Sequence, residues 1–280
     1  MPSQVDDLGG GLELIPKTIH YIWFGGNPLG EKELAYIESW KKYCPDYEIV
    51  RWDETNFDVS QNRYCREAYE AKKWAFVSDY ARLWILVHHG GIYMDTDVEV
   101  VKPLDAFLAH EAFSGFEKID SIPTGIMASR AGFPLFENLL HDYDERSFVM
   151  EDGSLDETTN VVAITQACLD LGFKADNTFQ IVDGFALYPK EWFCPKNIDT
   201  GVIESTSNTH TIHHFRGSWV DSAEREVASI KHGIIARHPG INEMLAAIIA
   251  RARYGLVHGD PKPFLRSIKK NLTIKRKDNN

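Results

Sequence analysis

The sequence lacks three features, and each absence argues against a class of protein. None of its apolar runs is long enough to cross a bilayer. Its four cysteines are scattered without metal-ligand spacing, and no signal-peptide pattern opens the chain, so we expect reduced thiols in a cytoplasmic protein. There is no excess of basic charge: the net charge of −11 argues against a general nucleic-acid binder, because phosphate contacts need a basic face.

Charge is unevenly distributed along the chain. Residues 261–280 carry seven basic side chains and one acidic side chain, although the whole chain is acidic. This basic tail fits either a solvated terminus or an electrostatic tether to an anionic inner-membrane surface, with apolar residues adding grip. We predict a flexible leader over residues 1–14 and one domain over residues 1–260.

Hydrophobic patterning and turn residues predict alternating strands and helices. Predicted strands at 18–24 and 47–52 flank a helix over 31–43, an order typical of a Rossmann-like half. A long apolar helix over about 63–89 ends at Gly90 and Gly91, and a further strand follows. The later predicted elements are strands at 112–116, 181–187 and 209–215, and helices at 134–144 and 160–171. The expected class is α/β, with a mostly parallel central sheet flanked by helices.

Two carboxylates, Asp95 and Asp97, come at the end of the predicted strand that follows Gly91. Alternation in an extended segment puts both on one face, and ligands of open α/β sheets bind at the carboxyl ends of strands. Removing two carboxylates from water is costly unless a cation meets them, so the segment predicts a divalent cation carrying a diphosphate. The alternative is a turn with capping carboxylates. A second Asp-x-Asp, Asp142 to Asp144, lies on a predicted helix and is expected to be a solvated face.

Two further groups of polar residues accompany the aspartates. Ser78, Asp79 and Arg82 share one stripe of the apolar helix, which fits an internal ion pair, contacts to sugar hydroxyls, or both. His213 and His214 lie at the end of the last predicted strand, shortly before a Gly-Ser pair. Histidine is a common metal ligand, and a Gly-Ser pair can bring backbone amides close to a phosphate.

Four ordered motifs resemble glycosyltransferase family 32, the sugar transferases named for a DXD motif, and the catalytic domain of the large clostridial glucosylating toxins. They are IHYIWFGG at 19–26, FVSDYAR at 76–82, GGIYMDTD at 90–97 and GSW at 217–219. The resemblance is strongest between residues 17 and 103. It implies a GT-A type, Rossmann-like nucleotide-diphospho-sugar transferase fold.

The resemblance also implies roles for individual residues. The metal, Mn²⁺ or Mg²⁺, would be held by Asp95, Asp97 and His214, with His214 favoured over His213. The donor contacts would be Trp23 on the base, Ser78, Asp79, Arg82 and Tyr93 at the sugar, Asp95 at the ribose, the sugar or a metal-bound water, and Ser218 and Trp219 at the diphosphate.

The implied activity is a retaining, metal-dependent transfer of a hexose or N-acetylhexosamine from a nucleotide sugar, with a UDP-sugar favoured over GDP-mannose. The expected acceptor is a saccharide or lipid-linked saccharide in bacterial capsule, O-antigen or other surface polysaccharide synthesis. The alternatives are a protein acceptor, a haloacid-dehalogenase-type phosphohydrolase and a non-catalytic sugar-nucleotide binding module. The phosphohydrolase is considered because residues 94–98 superficially match its Asp-x-Asp-x-Val start.

Overall fold

The computed structural model describes residues 14–217 and 221–259. The described strands are β1 (Thr18–Ile22), β2 (Glu48–Trp52), β3 (Gly91–Met94), β4 (Val98–Val100), β5 (Ala112–Gly115), β6 (Ile126–Ser129), β7 (Gln180–Val182), β8 (Phe185–Tyr188) and β9 (Thr211–His213). The described α-helices are α1 (Glu31–Tyr43), α2 (Arg63–Glu70), α3 (Trp74–His89), α4 (Pro134–His141), α5 (Asn160–Asp170), α6 (Lys190–Phe193), α7 (Ser222–Arg237) and α8 (Glu243–His258).

Seven strands form one mixed sheet in the order β2-β1-β3-β6-β5-β8-β7, and β4 pairs with β9 in a separate two-stranded sheet. β1 is parallel to both β2 and β3, and β5 is parallel to β8. β6 runs antiparallel to β3 and β5, and β7 runs antiparallel to β8. Five strands of the large sheet therefore point the same way, which confirms the predicted α/β fold with a mostly parallel sheet flanked by helices.

The core lies on both faces of the large sheet because side chains alternate along each strand. Ile92 and Met94 pack with Trp40 of α1 and Phe193 of α6, whereas Tyr93 packs with the side chains of α2, α3, α4 and α5 on the other face. Strands buried on both faces read as near-continuous apolar runs. β3 fits this rule, and it leads directly to Asp95.

The helix predicted over 63–89 is two helices, so that prediction was wrong. Lys72 adopts a left-handed conformation (φ 56°), and the amides of Lys72 and Lys73 bond back to the carbonyls of Tyr69 and Ala68. This is a Schellman-type end for α2, with lysine at a position that usually holds glycine. The break starts α3 afresh at Trp74, ahead of Asp79 and Arg82.

The strand predicted over 181–187 is a hairpin rather than one strand. Asp183 and Gly184 both have positive φ, which is the conformation that a two-residue hairpin turn requires. β7 and β8 therefore pair with each other at one side of the large sheet.

The described chain divides into two compact units. One is Met1–Pro195 with Ser205–His214, and the other is Lys196–Glu204 with Phe215–Asn280. The first contains the large sheet and the β4-β9 pair; the second contains α7 and α8. The predicted leader and basic tail fall outside the described residues, apart from the last residue of the leader, and remain predictions. In the described part of the chain, no helix combines the length and the apolar character needed to cross a membrane.

All four cysteines lie in described residues and are free and buried. Burial raises the pKa of each of these thiols, for example that of Cys44 to about 11. The cysteines therefore behave as inert core residues, in keeping with the predicted reduced state.

Candidate active site at the carboxyl edge of the sheet

The candidate site lies where β1 and β3 end. These strands are parallel neighbours, with His20 beside Tyr93, so the residues that follow each strand emerge at the same edge of the sheet. Trp23 follows β1 and Asp95 follows β3. Trp23 is partly buried, and its indole N–H donates to the carbonyl of Asn27 (2.6 Å).

A turn, not strand alternation, brings Asp95 and Asp97 together. β3 ends at Met94, and the amide of Val98 donates to the carbonyl of Asp95 (3.0 Å) as the chain leaves for β4. The amide of Asp95 in turn donates to the carbonyl of Gly125 (2.8 Å). The predicted proximity of the two carboxylates is therefore achieved by a different local structure from the one expected.

His213 completes the group of potential metal ligands. The β4-β9 register pairs Val98 with His213, which brings the imidazole beside the Asp95–Asp97 turn. Its Nε2 lies 3.2 Å from Asp97 Oδ1 and 3.9 Å from Asp95 Oδ2. One potential ligand atom from each of these three residues lies within 4.8 Å of the others.

His214, which we expected to be the metal ligand, does not join this group. Its Nε2 lies 2.9 Å from Glu99 Oε2, and its ring stacks on Tyr36 with 4.6 Å between centroids. Side chains of successive residues leave an extended chain on opposite sides, so only one of the two histidines can face the aspartates. The geometry corrects the expectation in favour of His213.

The Asp95–Asp97–His213 group fits a divalent cation chemically. Two carboxylate oxygens and one imidazole nitrogen suit Mn²⁺, and leave positions for phosphate oxygens; Mg²⁺ prefers all-oxygen surroundings. Burial works to lower the pKa of His213, but the Asp97 carboxylate raises it well above its ordinary value. The Asp97 carboxylate thus draws positive charge into the group. A cation bound there would take the place of the imidazole proton.

Arg82 is the electrostatic centre of the site. Its Nη2 lies 3.5 Å from Asp79 Oδ1 and 3.5 Å from Asp95 Oδ1. Its Nη1 donates to the carbonyl of Thr124 (2.9 Å), and its guanidinium lies 4.7 Å from the ring centroid of Tyr93. The side chain is almost fully buried, so Arg82 is a buried cation that Asp79 and Asp95 share.

Asp79 is anchored as well as paired. Its Oδ2 accepts the amide N–H of Asn160 at the start of α5 (3.1 Å), and its backbone carbonyl accepts the Asn160 side-chain amide (2.6 Å). Tyr143 donates to Asn160 Oδ1 (2.6 Å), so the network continues into the core. Burial raises the pKa of Asp79, with Arg82 acting in the opposite direction. The internal ion pair considered for Asp79 and Arg82 is present. The predicted contacts of these two residues with sugar hydroxyls stay a prediction.

The other predicted donor residues differ in position. Tyr93 is buried, and its hydroxyl donates to Asp95 Oδ1 (2.6 Å), so this hydrogen bond orients the Asp95 carboxylate. The backbone carbonyl of Ser78 accepts from Arg82 Nε (3.2 Å). Ser218 and Trp219 lie outside the described residues, and their predicted contact with a diphosphate stays a prediction.

Sequence reasoning missed Thr124 and Gly125, although they contact three site residues. The Thr124 carbonyl accepts a hydrogen bond from Arg82 Nη1, and the Gly125 carbonyl accepts one from the amide of Asp95. Gly125 also faces the His213 ring. A Cβ on Gly125 would lie 2.5 Å from His213 Cε1. Carbonyls have no sequence signature, so only the glycine could have drawn attention. Sequence reasoning also missed Glu117, which interacts electrostatically with His213 and Asp95 and whose pKa is raised by burial.

Replacing Gly125 with alanine should therefore displace His213. We expect Mn²⁺ affinity to fall about 10–100-fold, the range seen when supporting groups of a metal site are lost. Isothermal titration with MnCl₂ measures this directly. Thr124→Ala is the matched control, because it keeps the carbonyl that Arg82 uses; equal affinities for both variants would contradict the assignment.

Comparisons with known proteins agree with this site. Residues 30–114 match the family model described as glycosyltransferase sugar-binding region containing DXD motif, a span that includes Asp79, Arg82, Asp95 and Asp97. The uncharacterized glycosyltransferase L373 of Acanthamoeba polyphaga mimivirus is 27% identical over 201 residues, which cover 66% of this chain and 77% of that protein.

Two further similarities cover smaller shares of the proteins concerned. Inositol phosphoceramide mannosyltransferase 1 of Schizosaccharomyces pombe is 30% identical over 115 residues, or 37% of this chain and 34% of the yeast protein. This chain therefore spans about a third of that relative's length. The solved structure of PaToxG glycosyltransferase aligns with 56% of this chain and 68% of its own, at 22% identity and a TM-score of 0.42.

The family match contains both aspartates of the candidate site and the arginine that compensates them, and the curated relatives named above are glycosyltransferases rather than phosphohydrolases. The chain is accordingly an enzyme, a glycosyltransferase of the DXD-containing type.

Proposed function

We propose that the chain is a retaining, divalent-cation-dependent transferase that moves a hexose or N-acetylhexosamine from a nucleotide sugar to a saccharide or lipid-linked saccharide acceptor. The observation that carries this proposal is the Asp95–Asp97–His213 group at the carboxyl edge of the sheet. In open α/β sheets this edge is where nucleotide ligands bind. The predicted role in bacterial surface polysaccharide synthesis, on the cytoplasmic side, belongs to the same proposal.

Each described residue has a definite part in this proposal. Asp97 and His213 hold the cation, while Asp95 accepts from Tyr93 and faces Arg82, which fixes its orientation. When bound, Mn²⁺ or Mg²⁺ supplies a Lewis acid that stabilises the negative charge developing on the leaving diphosphate. We assign stacking on the nucleotide base to Trp23, and its position after β1, at the same edge of the sheet, supports this assignment.

Arg82 and Asp79 keep the donor side of the site rigid and dry. Both are buried and bonded to backbone groups of neighbouring elements, Thr124 for Arg82 and Asn160 for Asp79. Preorganised charges of this kind stabilise a transition state without reorganising during the reaction. We name no protein nucleophile, because we propose that the acceptor hydroxyl attacks from the side of the leaving group.

The donor base and sugar have two candidates. The toxin-like motifs favour a UDP-sugar. Mannosyl transfer is the second candidate, because several relatives are named as inositol phosphoceramide mannosyltransferases and one as mannosyl phosphorylinositol ceramide synthase SUR1 of Saccharomyces cerevisiae. Those names also describe lipid-linked acceptors for those proteins, and a lipid-linked saccharide is compatible with the acceptor proposed here.

A thermal-shift panel tests the proposal and separates the donors. We expect a cognate nucleotide sugar to stabilise the folded protein only with Mn²⁺ present, by about 2.7 kcal/mol at a hundred times its Kd. The panel compares UDP-glucose, UDP-N-acetylglucosamine and GDP-mannose, each with MnCl₂ and with EDTA. Stabilisation that persists in EDTA would contradict the metal assignment, and stabilisation by none of the donors would contradict the proposed substrate class.

A further inference from the structure

Helix α8 presents an apolar face that its own unit does not cover. Ala246, Ala250 and Tyr254 follow the spacing of one helix stripe and pack against Val227 and Ile234 of α7. These contacts use one side of α8. The opposite side faces outward.

That outward side is apolar along its whole length. Leu256 is 87% exposed, Met244 70% and Leu245 49%, and they share a surface arc of roughly 140° at 3.6 residues per turn. The arc is formed by Met244, Leu245, Ile248, Ile249, Ala252 and Leu256. Contiguous exposed apolar patches on a soluble fold mark interaction surfaces.

The neighbouring helix shows that this exposure is not general to the unit. The outward side chains of α7 include Arg225, Glu226 and Ser229, which are the polar and charged groups usual for a solvated face. The two helices pack on each other, yet of the two only α8 turns large apolar side chains outward. Its outer face therefore differs chemically from its surroundings.

Two arginines border the apolar arc, one on each side. On the helical projection the exposed Arg253 and the partly buried Arg251, whose Nε is buried, flank the arc. The acidic residue among the described residues of α8, Glu243, lies on the other side of the helix. Apolar side chains between cationic margins are the pattern of a helix lying in a membrane interface, where arginines reach the phosphates. The sequence that follows α8 is also strongly basic.

We propose that the outer face of α8 binds the surface of an anionic lipid bilayer. Charge complementarity favours this occupant over two others. A second copy would bring the same arginines together without acidic partners, and the chain's own basic tail would add positive charge to the same margins. An anionic lipid surface accepts both the apolar arc and its cationic margins.

Vesicle co-sedimentation of the full chain tests this proposal. We expect binding to vesicles of phosphatidylcholine with phosphatidylglycerol, and binding at least about tenfold weaker to phosphatidylcholine alone or at high salt. The double variant I248Q/L256Q should lose most of this binding, by tenfold or more, because it removes apolar grip from the centre and end of the arc.

Matched variants separate the helix face from the tail and from self-association. A228Q/S229Q changes exposed positions of α7 and should bind as the wild type does, whereas K269Q/K270Q reports the contribution of the tail. Circular dichroism checks that each variant is folded. The proposal is overturned if I248Q/L256Q binds vesicles normally, if the wild type binds none, or if sedimentation shows instead a dimer that this variant dissociates.

Discussion

Replacing Asp97 with asparagine should abolish cation-dependent transfer while leaving the fold intact. Asp97 Oδ1 is 3.2 Å from His213 Nε2 and is a partly exposed member of the candidate metal group. We expect Mn²⁺ affinity to fall at least about 100-fold, since even the loss of an outer partner of a metal site typically costs 10–100-fold. Calorimetric titration with MnCl₂ and hydrolysis of the nucleotide sugar both measure this effect.

The chain contains its own control for this experiment. Asp142 belongs to the second Asp-x-Asp, whose two aspartates are exposed on a 3-10 turn after α4, as the predicted solvated face requires. D142N should bind Mn²⁺ and turn over donor like the wild type. If D97N keeps full activity in the presence of EDTA, the cation has no role at this edge of the sheet and the assignment fails.

Replacing Arg82 with methionine should produce the largest loss of stability. The change keeps much of the side-chain length but leaves Asp79 and Asp95 without their shared buried cation. Breaking a buried pair in this way typically costs about 3–5 kcal/mol. We expect a loss of this size in the free energy of unfolding, measured by urea denaturation followed by tryptophan fluorescence.

The same variant has a predictable pH dependence. Burial already raises the pKa of Asp79 in the folded protein, and the positive charge of Arg82 makes that increase smaller. Without Arg82 the folded-state pKa rises further above the unfolded value. A carboxyl whose pKa is higher in the folded than in the unfolded protein destabilises the fold as the pH rises from the unfolded-state pKa to the folded-state pKa. The loss of stability in R82M should therefore be smaller at mildly acidic than at mildly alkaline pH.

A double variant identifies the source of the effect. D79N/R82M removes one of the two uncompensated charges, so it should be more stable than R82M at alkaline pH and show a weaker pH dependence. If R82M and the double variant lose equal stability at every pH, packing rather than charge explains the role of Arg82.

The sequence was sufficient to predict the elements whose signals are local. Apolar periodicity and Gly90-Gly91 placed the end of α3 and the start of β3 correctly, and alternation of strands and helices predicted the α/β class. The proximity of Asp95 and Asp97 followed from their spacing in the chain. Arg82 and Asp79 followed from helical spacing in an apolar segment, where charged groups need partners.

Contacts made through backbone groups or distant segments could not be predicted in this way. The choice of His213 over His214 depends on the register of β9 against β4, and a shift by one residue would exchange the two histidines. Asn160 contacts Asp79 through its backbone amide and through the backbone carbonyl of Asp79. Thr124 and Gly125 contact the site through their backbone carbonyls, and Gly125 leaves room for His213 because it has no Cβ. The left-handed Lys72 replaces the glycine that would have revealed the end of α2.

The pairing of β4 with β9 has a consequence for biosynthesis. A nascent chain that has emerged only as far as β8 already carries the aspartate turn, but it lacks both the strand that holds the turn and the imidazole that completes the group. Such long-range pairing forms late, because the entropy cost of bringing distant segments together precedes the stabilising contacts between them. Under the proposed function, the newly made protein gains its affinity for a divalent cation only when the end of the first unit has been synthesised, so cation uptake would mark the completion of that unit.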